Sequence, residues 1–289
     1  MYYLMFIYIS AVWGSSFILM KWAEVSYPPM SLATYRLLGA AVTLFICRLF
    51  IKKKDAFSKN DFGPLLLMSV STIIPFAVQP LLIGRHGSAF IGMMVIFVPL
   101  LTILVSIPLI SRFPVKKEVI GVLGGLIFSW LIVNDGMDRN VSVFDFFLAF
   151  LIPLSYALGN TYAKKRLSHL KPMDLSLAIM AVSAAILWPI ATCSEDIQVN
   201  DQFTMATVYL IILGIFGTGI PIIFFYFLIN NRGPLFAGMV TYIIPIGALL
   251  WGAVDGESIT ALQVVAMSGL LLMVALVQWP VKKPEEISA

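Results

Sequence analysis

Ser15, Ser16, Gln79, Asn160 and Thr161 are polar side chains standing inside long apolar runs of the chain. A polar group in such a run is costly in hydrocarbon, so it faces the interior of a helix bundle or a water-filled space. Hydroxyls and carboxamides can hold a molecule by hydrogen bonds. The aromatics Trp13, Tyr156, Tyr162 and Tyr242 add flat apolar faces with polar tips, suited to stacking on a small solute and hydrogen-bonding it. Trp13, Ser16, Gln79, Tyr156, Asn160 and Tyr242 are therefore the candidate solute contacts, with Gln79, Asn160 and Trp13 foremost. The plainer alternative for each is a bond between helices or simple packing.

Charged groups are sparse where they would matter most. Arg36 is the one basic residue well inside an apolar run. It suits two roles: a bidentate pair with a carboxylate, or a stem that snorkels its charge to the nearer membrane face. Its place one or two turns from a run's end favours snorkelling, and Lys21 reads the same way. All 15 carboxylates, from Glu24 to Glu286, fall in loops or at the ends of runs, as do His86 and His169. A proton relay of acidic or histidine side chains at mid-membrane is thus absent, which leaves a facilitator or exchanger, or coupling through a group at a helix end. No GxxxxGKS or GxxxxGKT phosphate loop exists, so the chain is not expected to hydrolyse ATP. An enzyme would need a reactive cluster near one face, and none assembles. No metal-ligand spacing appears, no cofactor is expected, and the separated Cys47 and Cys193 are not expected to form a disulfide.

These residues need a scaffold, and the composition names its solvent. The chain of 289 residues is 60% hydrophobic and 12% charged, with mean hydropathy +0.95; soluble domains are about 45–50% apolar and about 25% charged. Lipid is the solvent that fits. Ten apolar runs can be placed at residues 2–23, 29–51, 62–83, 87–110, 119–133, 143–163, 173–193, 204–229, 234–254 and 259–279. Most are near the roughly 20 residues that cross a bilayer, the fifth being the shortest and only just long enough, and a backbone there must be helical to satisfy its own hydrogen bonds. The first run lacks a basic leader and a cleavage site, so it is read as a retained span; the polar tail after residue 281 is read as short, with no soluble domain attached.

Lys and Arg number 15 in one set of alternate loops and 3 in the other. That bias predicts both termini in the cytoplasm of a multi-pass protein in the plasma or inner membrane. It also accounts for the net charge of +4 and pI near 9 without nucleic acid. The partners expected are lipid and a small solute, and a monomer suffices.

The chain also repeats itself. At an offset of 146, Thr72, Ile74 and Pro75 meet Thr218, Ile220 and Pro221, and Gly87, Phe90, Gly92, Met93 and Pro99 meet Gly233, Phe236, Gly238, Met239 and Pro245. From Thr72 to Pro99 there are 10 identities in 28 positions. Pro29-Met30 meets Pro172-Met173 at an offset of 143. A repeat of five helices, an odd number, starts its second copy on the opposite side of the membrane. The reading is an all-α membrane protein with ten transmembrane helices as two inverted five-helix repeats, residues 1–137 and 138–289. Such symmetry accompanies alternating access around a midplane site. Pro75, Pro99, Pro221 and Pro245, inside helices at matching places, are the candidate hinges. Gly14, Gly92, Gly121, Gly124, Gly125 and Gly238 read as points of close helix approach.

The order of motifs resembles the EamA-domain family of the drug/metabolite transporter superfamily. It is carried by Ala11-Val12-Trp13-Gly14-Ser15-Ser16-Phe17, Tyr35-Arg36-Leu37, Asn231-Arg232-Gly233-Pro234, Tyr242-Ile243-Ile244-Pro245 and Gly256-Glu257-Ser258-Ile259-Thr260. The first copy has Lys117-Glu118 where the second has Gly256-Glu257. The resemblance implies a secondary transporter for export or uptake of small polar metabolites such as amino acids, with export the expected direction, through a central cavity lined by spans one, three, four, six, eight and nine. The alternative it leaves is export of drugs or lipid-like amphiphiles, a flippase activity included. Inversion makes a direct prediction. With Cys47 and Cys193 replaced by serine, His86→Cys and Asn231→Cys should react with an impermeant thiol reagent from opposite faces of the membrane; labelling from one face would remove the inverted repeat.

Overall fold

The protein is described from a computed structural model, over residues 1–51, 57–134, 142–195, 204–244, 246–247, 250–251 and 260–279. Everything regular in these residues is helical: α1 (Tyr2–Ala23), α2 (Pro29–Leu49), α3 (Phe62–Met94), α4 (Val98–Ile110), α5 (Lys116–Asn134), α6 (Val143–Arg166), α7 (Pro172–Ser194), α8 (Met205–Gly214), α9 (Ile220–Arg232), α10 (Pro234–Gly238) and α11 (Ala261–Gln278). Among the described residues, six stretches are long and apolar enough to cross a membrane: Tyr2–Ala23, Pro29–Leu49, Lys59–His86, Val143–Arg166, Pro172–Ser194 and Met205–Arg232, with shorter apolar helices at Val95–Ile110 and Val264–Gln278. The result is a multi-pass, all-helical membrane protein. Much of the last turn of the ninth predicted span, and the Gly256-Glu257 motif, lie outside the described residues.

Local sequence explains where helices start and stop. α2 and α7 each open on a proline at the first turn, where the missing N–H is no loss. The free N–H groups of α2 are met from a distance: Glu195, just past α7, accepts from the Met30 and Ser31 amides and the Ser31 hydroxyl, each at 2.8 Å. A carboxylate at a helix N-terminus also opposes the positive end of the helix dipole.

One expected boundary is corrected. The sequence predicted a loop between residues 83 and 87, yet α3 continues through this stretch to Met94. The matching position 146 residues on behaves differently: Gly233 takes φ 91° and separates α9 from α10. The neighbours account for this. Pro234 follows Gly233 and cannot donate a backbone hydrogen bond, whereas Ser88 follows Gly87 and can.

Three helix pairs carry the broadest packing: α2 with α7, α3 with α6, and α5 with α11. A buried ion pair between Arg48 and Asp174 joins the first. At the end of the second, Asp145 takes Arg85 Nη1 at 3.0 Å and His86 Nε2 at 2.8 Å. The third depends on small residues. Gly121 and Gly124 face Val277 and Met273 of α11, while Gly125 faces the ring of Tyr242, where an added Cβ would fall 2.1 Å from a ring carbon. Tyr242 is fully buried and donates its hydroxyl to the Val122 carbonyl at 2.8 Å. Gly125→Ala should lower the thermal unfolding midpoint in detergent, at a cost of about 1–3 kcal/mol for the overpacking. Gly63→Ala, with nothing within 4 Å of the added carbon, should leave it unchanged.

Glu24 caps α1 just beyond the span. Its Oε1 is buried without a hydrogen-bond partner and its Oε2 faces Gly84 of α3. Burial pushes this carboxyl up to about 7 from its ordinary 4.5. As pH rises between those values the unfolded chain ionises Glu24 while the folded chain keeps its proton, so folded stability falls across that window and levels off above it. The difference in unfolding midpoint between the native chain and Glu24→Gln should therefore change between pH 5 and 7 in favour of the variant and stay constant from pH 7.5 upward. A pH-independent difference would contradict the assignment.

Candidate functional site

A central cavity is lined from α1 (Trp13, Ser16), α2 (Arg36), α3 (Ser71, Thr72, Phe76, Gln79), α6 (Tyr156, Asn160), α7 (Met180) and α9 (Phe225, Tyr226), with Val98 of α4 and residues of three irregular turns. Its cavity volume is about 70 Å³, several times the roughly 10–15 Å³ that one water needs. A small solute, or a handful of waters, fits.

Two of the irregular turns are placed by prolines. The 3₁₀ turn Val95–Phe97 stands two residues ahead of Pro99, whose ring leaves the Val95 carbonyl without its usual α-helical donor; Val98 N–H takes that carbonyl instead. The π-helical turn Ile215–Gly219 stands two residues ahead of Pro221, and Ile220 N–H reaches back to the Ile215 carbonyl. A second 3₁₀ turn spans Met239–Tyr242. Each turn contributes a lining residue: Val95, Thr218 and Thr241. Irregular backbone at membrane depth is tolerated where it lines a cavity or is buried in protein, and here the departures gather around one space.

Arg36 dominates the electrostatics. It is 6% exposed. Its Nε donates to Thr218 Oγ1 at 2.8 Å, its Nη1 lies 3.2 Å from Met20 Sδ, and its guanidinium stands 4.6 Å from the centre of the Phe76 ring. No carboxylate stands among the described lining residues, and Nη2 has no partner among the described residues. Burying a charge costs several kcal/mol after relaxation, and the Phe76 face returns up to about 2. The Thr218 hydroxyl is spent twice, since it also donates to the Leu213 carbonyl at 3.1 Å.

Around this charge stand further unspent polar groups. Gln79 Nε2 donates to the Tyr156 hydroxyl at 3.2 Å. Asn160 is 5% exposed and Tyr226 3% exposed, and neither side chain has a hydrogen-bond partner among the described residues; nor has the Trp13 indole N–H. Trp13 rests on Phe225 with ring centres 4.8 Å apart. Among the described residues, the unspent groups around the cavity are mostly hydrogen-bond donors.

Of the residues expected at the site, Trp13, Ser16, Gln79, Tyr156 and Asn160 line this one cavity. Tyr242 does not. It points away to α5, because its hydroxyl is satisfied by the Val122 carbonyl and its ring fills the gap over Gly125. Arg36 does not snorkel, because the π turn holds a hydroxyl beside it and Phe76 covers it. Ser15 lies outside the cavity and accepts from Trp251 Nε1 at 2.8 Å, and Thr161 is wholly buried. Pro75 is inside α3, while Pro99 and Pro221 open α4 and α9; Pro245 lies outside the described residues. Sequence reading overlooked Thr218, Tyr226 and Phe76. Thr218 had a usable signal, since it pairs with Thr72 in the repeat and both line the cavity.

Comparison with known proteins adds an independent line. The model of the EamA-like transporter family matches residues 1–134 and 144–279. The chain is 24% identical over 274 residues to the uncharacterized inner membrane transporter YedA of Escherichia coli, covering 92% of this chain and 87% of YedA. It is 21% identical over 252 residues to the uncharacterized transporter YoaV of Bacillus subtilis, covering 84% and 85%. An uncharacterized transporter of Archaeoglobus fulgidus is 25% identical over 269 residues, covering 90% and 92%. A solved crystal structure of a protein superposes over 96% of both chains with a TM-score of 0.74 at 15% identity, a likeness of fold alone.

Proposed function

This chain belongs to the EamA-like transporter family, and we propose that it is a secondary transporter that moves a small polar metabolite, an amino acid or a related compound, by alternating access and in the direction of export. One observation carries the reading: one cavity, rich in unspent hydrogen-bonding groups, is lined by residues from both family-matched segments. In this proposal ten spans form two inverted halves, residues 1–137 and 138–289, in the cell membrane with both termini in the cytoplasm. The halves rock about the cavity.

Two charged contacts between the halves suit that motion. Arg48 pairs with Asp174 at one end, and Asp145 holds Arg85 and His86 at the other. Opening the cavity to one side requires one contact to loosen while the other holds. Pro75, Pro99, Pro221 and Pro245 act as the hinges, the middle two beside turns already departed from α-helical bonding. Trp13, Ser16, Gln79, Tyr156 and Asn160 contact the solute.

Counterflow of a radiolabelled amino-acid mixture into proteoliposomes tests this. Flux should be present without chemical change, and Gln79→Leu and Asn160→Leu should each reduce it about 2- to 10-fold, the worth of one neutral hydrogen bond, while the amount of folded protein stays the same. Unchanged flux in both variants would overturn the cavity assignment. Movement of labelled lipid in place of solute would make the protein a flippase, and turnover of the solute an enzyme.

A further inference from the structure

We propose that Arg36 is the anion anchor of the cavity and that the transported solute carries a carboxylate which pairs with it. The inference rests on the carrier reading and narrows it to a substrate class.

Among the described residues the charge is enclosed and has no counter-ion. Among the described residues lining the cavity, Arg36 is the one charged side chain, and its surroundings offer a hydroxyl, a thioether and an aromatic face in place of a counter-ion. The protein elsewhere pairs its buried arginine: Arg48 sits against Asp174 with both side chains 7% exposed. Nε is held by Thr218, which orients the guanidinium plane and leaves Nη2 and one hydrogen of Nη1 unspent. Two N–H groups are what a carboxylate takes from an arginine in a bidentate pair.

The rest of the lining agrees. The indole N–H of Trp13, the hydroxyl of Tyr226 and the amide of Asn160 are unpartnered donors, and the amide also accepts. Phe17, Phe76 and Phe225 provide apolar walls for the body of the ligand. Among the described lining residues a cationic amphiphile would meet one fixed positive charge and no fixed negative one. A dianion would bring twice the charge that one guanidinium cancels.

The charge also sits on one side of the repeat. At the offset that matches Pro29 with Pro172, the residue corresponding to Arg36 is Ile179, and its neighbour Met180 lines the cavity. A carboxylate therefore has one anchor and one orientation in the cavity, held from the α2 side, with its remaining atoms toward α6 and α9.

Thermal unfolding of the detergent-purified native chain tests the proposal, using acetate, propanoate, benzoate and leucine, each beside its amide, with benzylamine and inorganic phosphate as further arms. Carboxylates that fit should raise the unfolding midpoint, and their amides, the amine and phosphate should not. In Arg36→Gln the apparent Kd for the best carboxylate should rise about 10- to 100-fold, the worth of a charge-assisted hydrogen bond. Arg36→Lys, which keeps the charge but loses the planar fork, should fall between. The contrast between carboxylate and amide is read on the native chain, so it stands even if Arg36→Gln fails to fold. The proposal is overturned if no carboxylate in the set stabilises the native chain at millimolar concentration, if amides or phosphate do so equally, or if folded Arg36→Gln keeps the response. Carboxylate binding with no flux in proteoliposomes would leave the anchor standing and remove the carrier reading; flux indifferent to the carboxylate would do the reverse.

Discussion

A guanidinium keeps its proton under any ordinary condition, so once it is enclosed in a membrane protein its charge has to be answered from the inside. Arg36 is answered by a threonine hydroxyl, a sulfur and a phenyl face. That set depends on a chain of local causes. Pro221 withholds a backbone donor from the turn before it, the turn widens to π geometry, and the widened turn carries Thr218 beside Arg36. Gly214 and Gly39, whose Cα atoms meet closely, let α8 approach α2 at this level. The cavity is what remains between these elements once the charge has been housed.

Outside the cavity the protein is built conservatively. Its faces toward lipid are apolar, with Leu4, Ile7, Val42, Phe45 and Leu272 exposed, and burial of apolar surface brings no gain there because lipid tails are equally apolar. Association of helices then depends on close packing and on polar contacts. The glycines of α5 and the Gly14–Gly247 crossing supply the first. Arg48 with Asp174, and Glu195 at the start of α2, supply the second.

Much of this was legible before the fold. Helix content and membrane location follow from run length and the scarcity of charge. Five of the six expected solute contacts line the cavity because a polar group flanked by apolar neighbours has one kind of place to go. The failures are equally instructive. Tyr242 was chosen on residue type, and type does not say which neighbour satisfies its hydroxyl; a carbonyl on α5 does. Arg36 was read from its distance to a helix end, but snorkelling is decided by what surrounds the stem, and that is Phe76, Met20 and Thr218 from three other segments. Glu24 was counted as a loop carboxylate, and its buried oxygen shows that the loop's end is covered. The boundary after residue 83 failed because glycine permits a break without requiring one; Pro234, with no backbone donor, favours it and Ser88 does not.

The amino-acid sequence by itself determined the solvent, the helical architecture and the internal repeat, because these rest on properties that each residue carries alone or shares with near neighbours: transfer cost, backbone donors present or missing, and spacing along the chain. Which polar groups face one another was decided only by the tertiary structure. Arg36 and Thr218 are 182 positions apart, and Gln79 and Tyr156 are 77 apart. Electrostatic and hydrogen-bond energies depend on distance in space and on burial, and neither can be read from position in the chain.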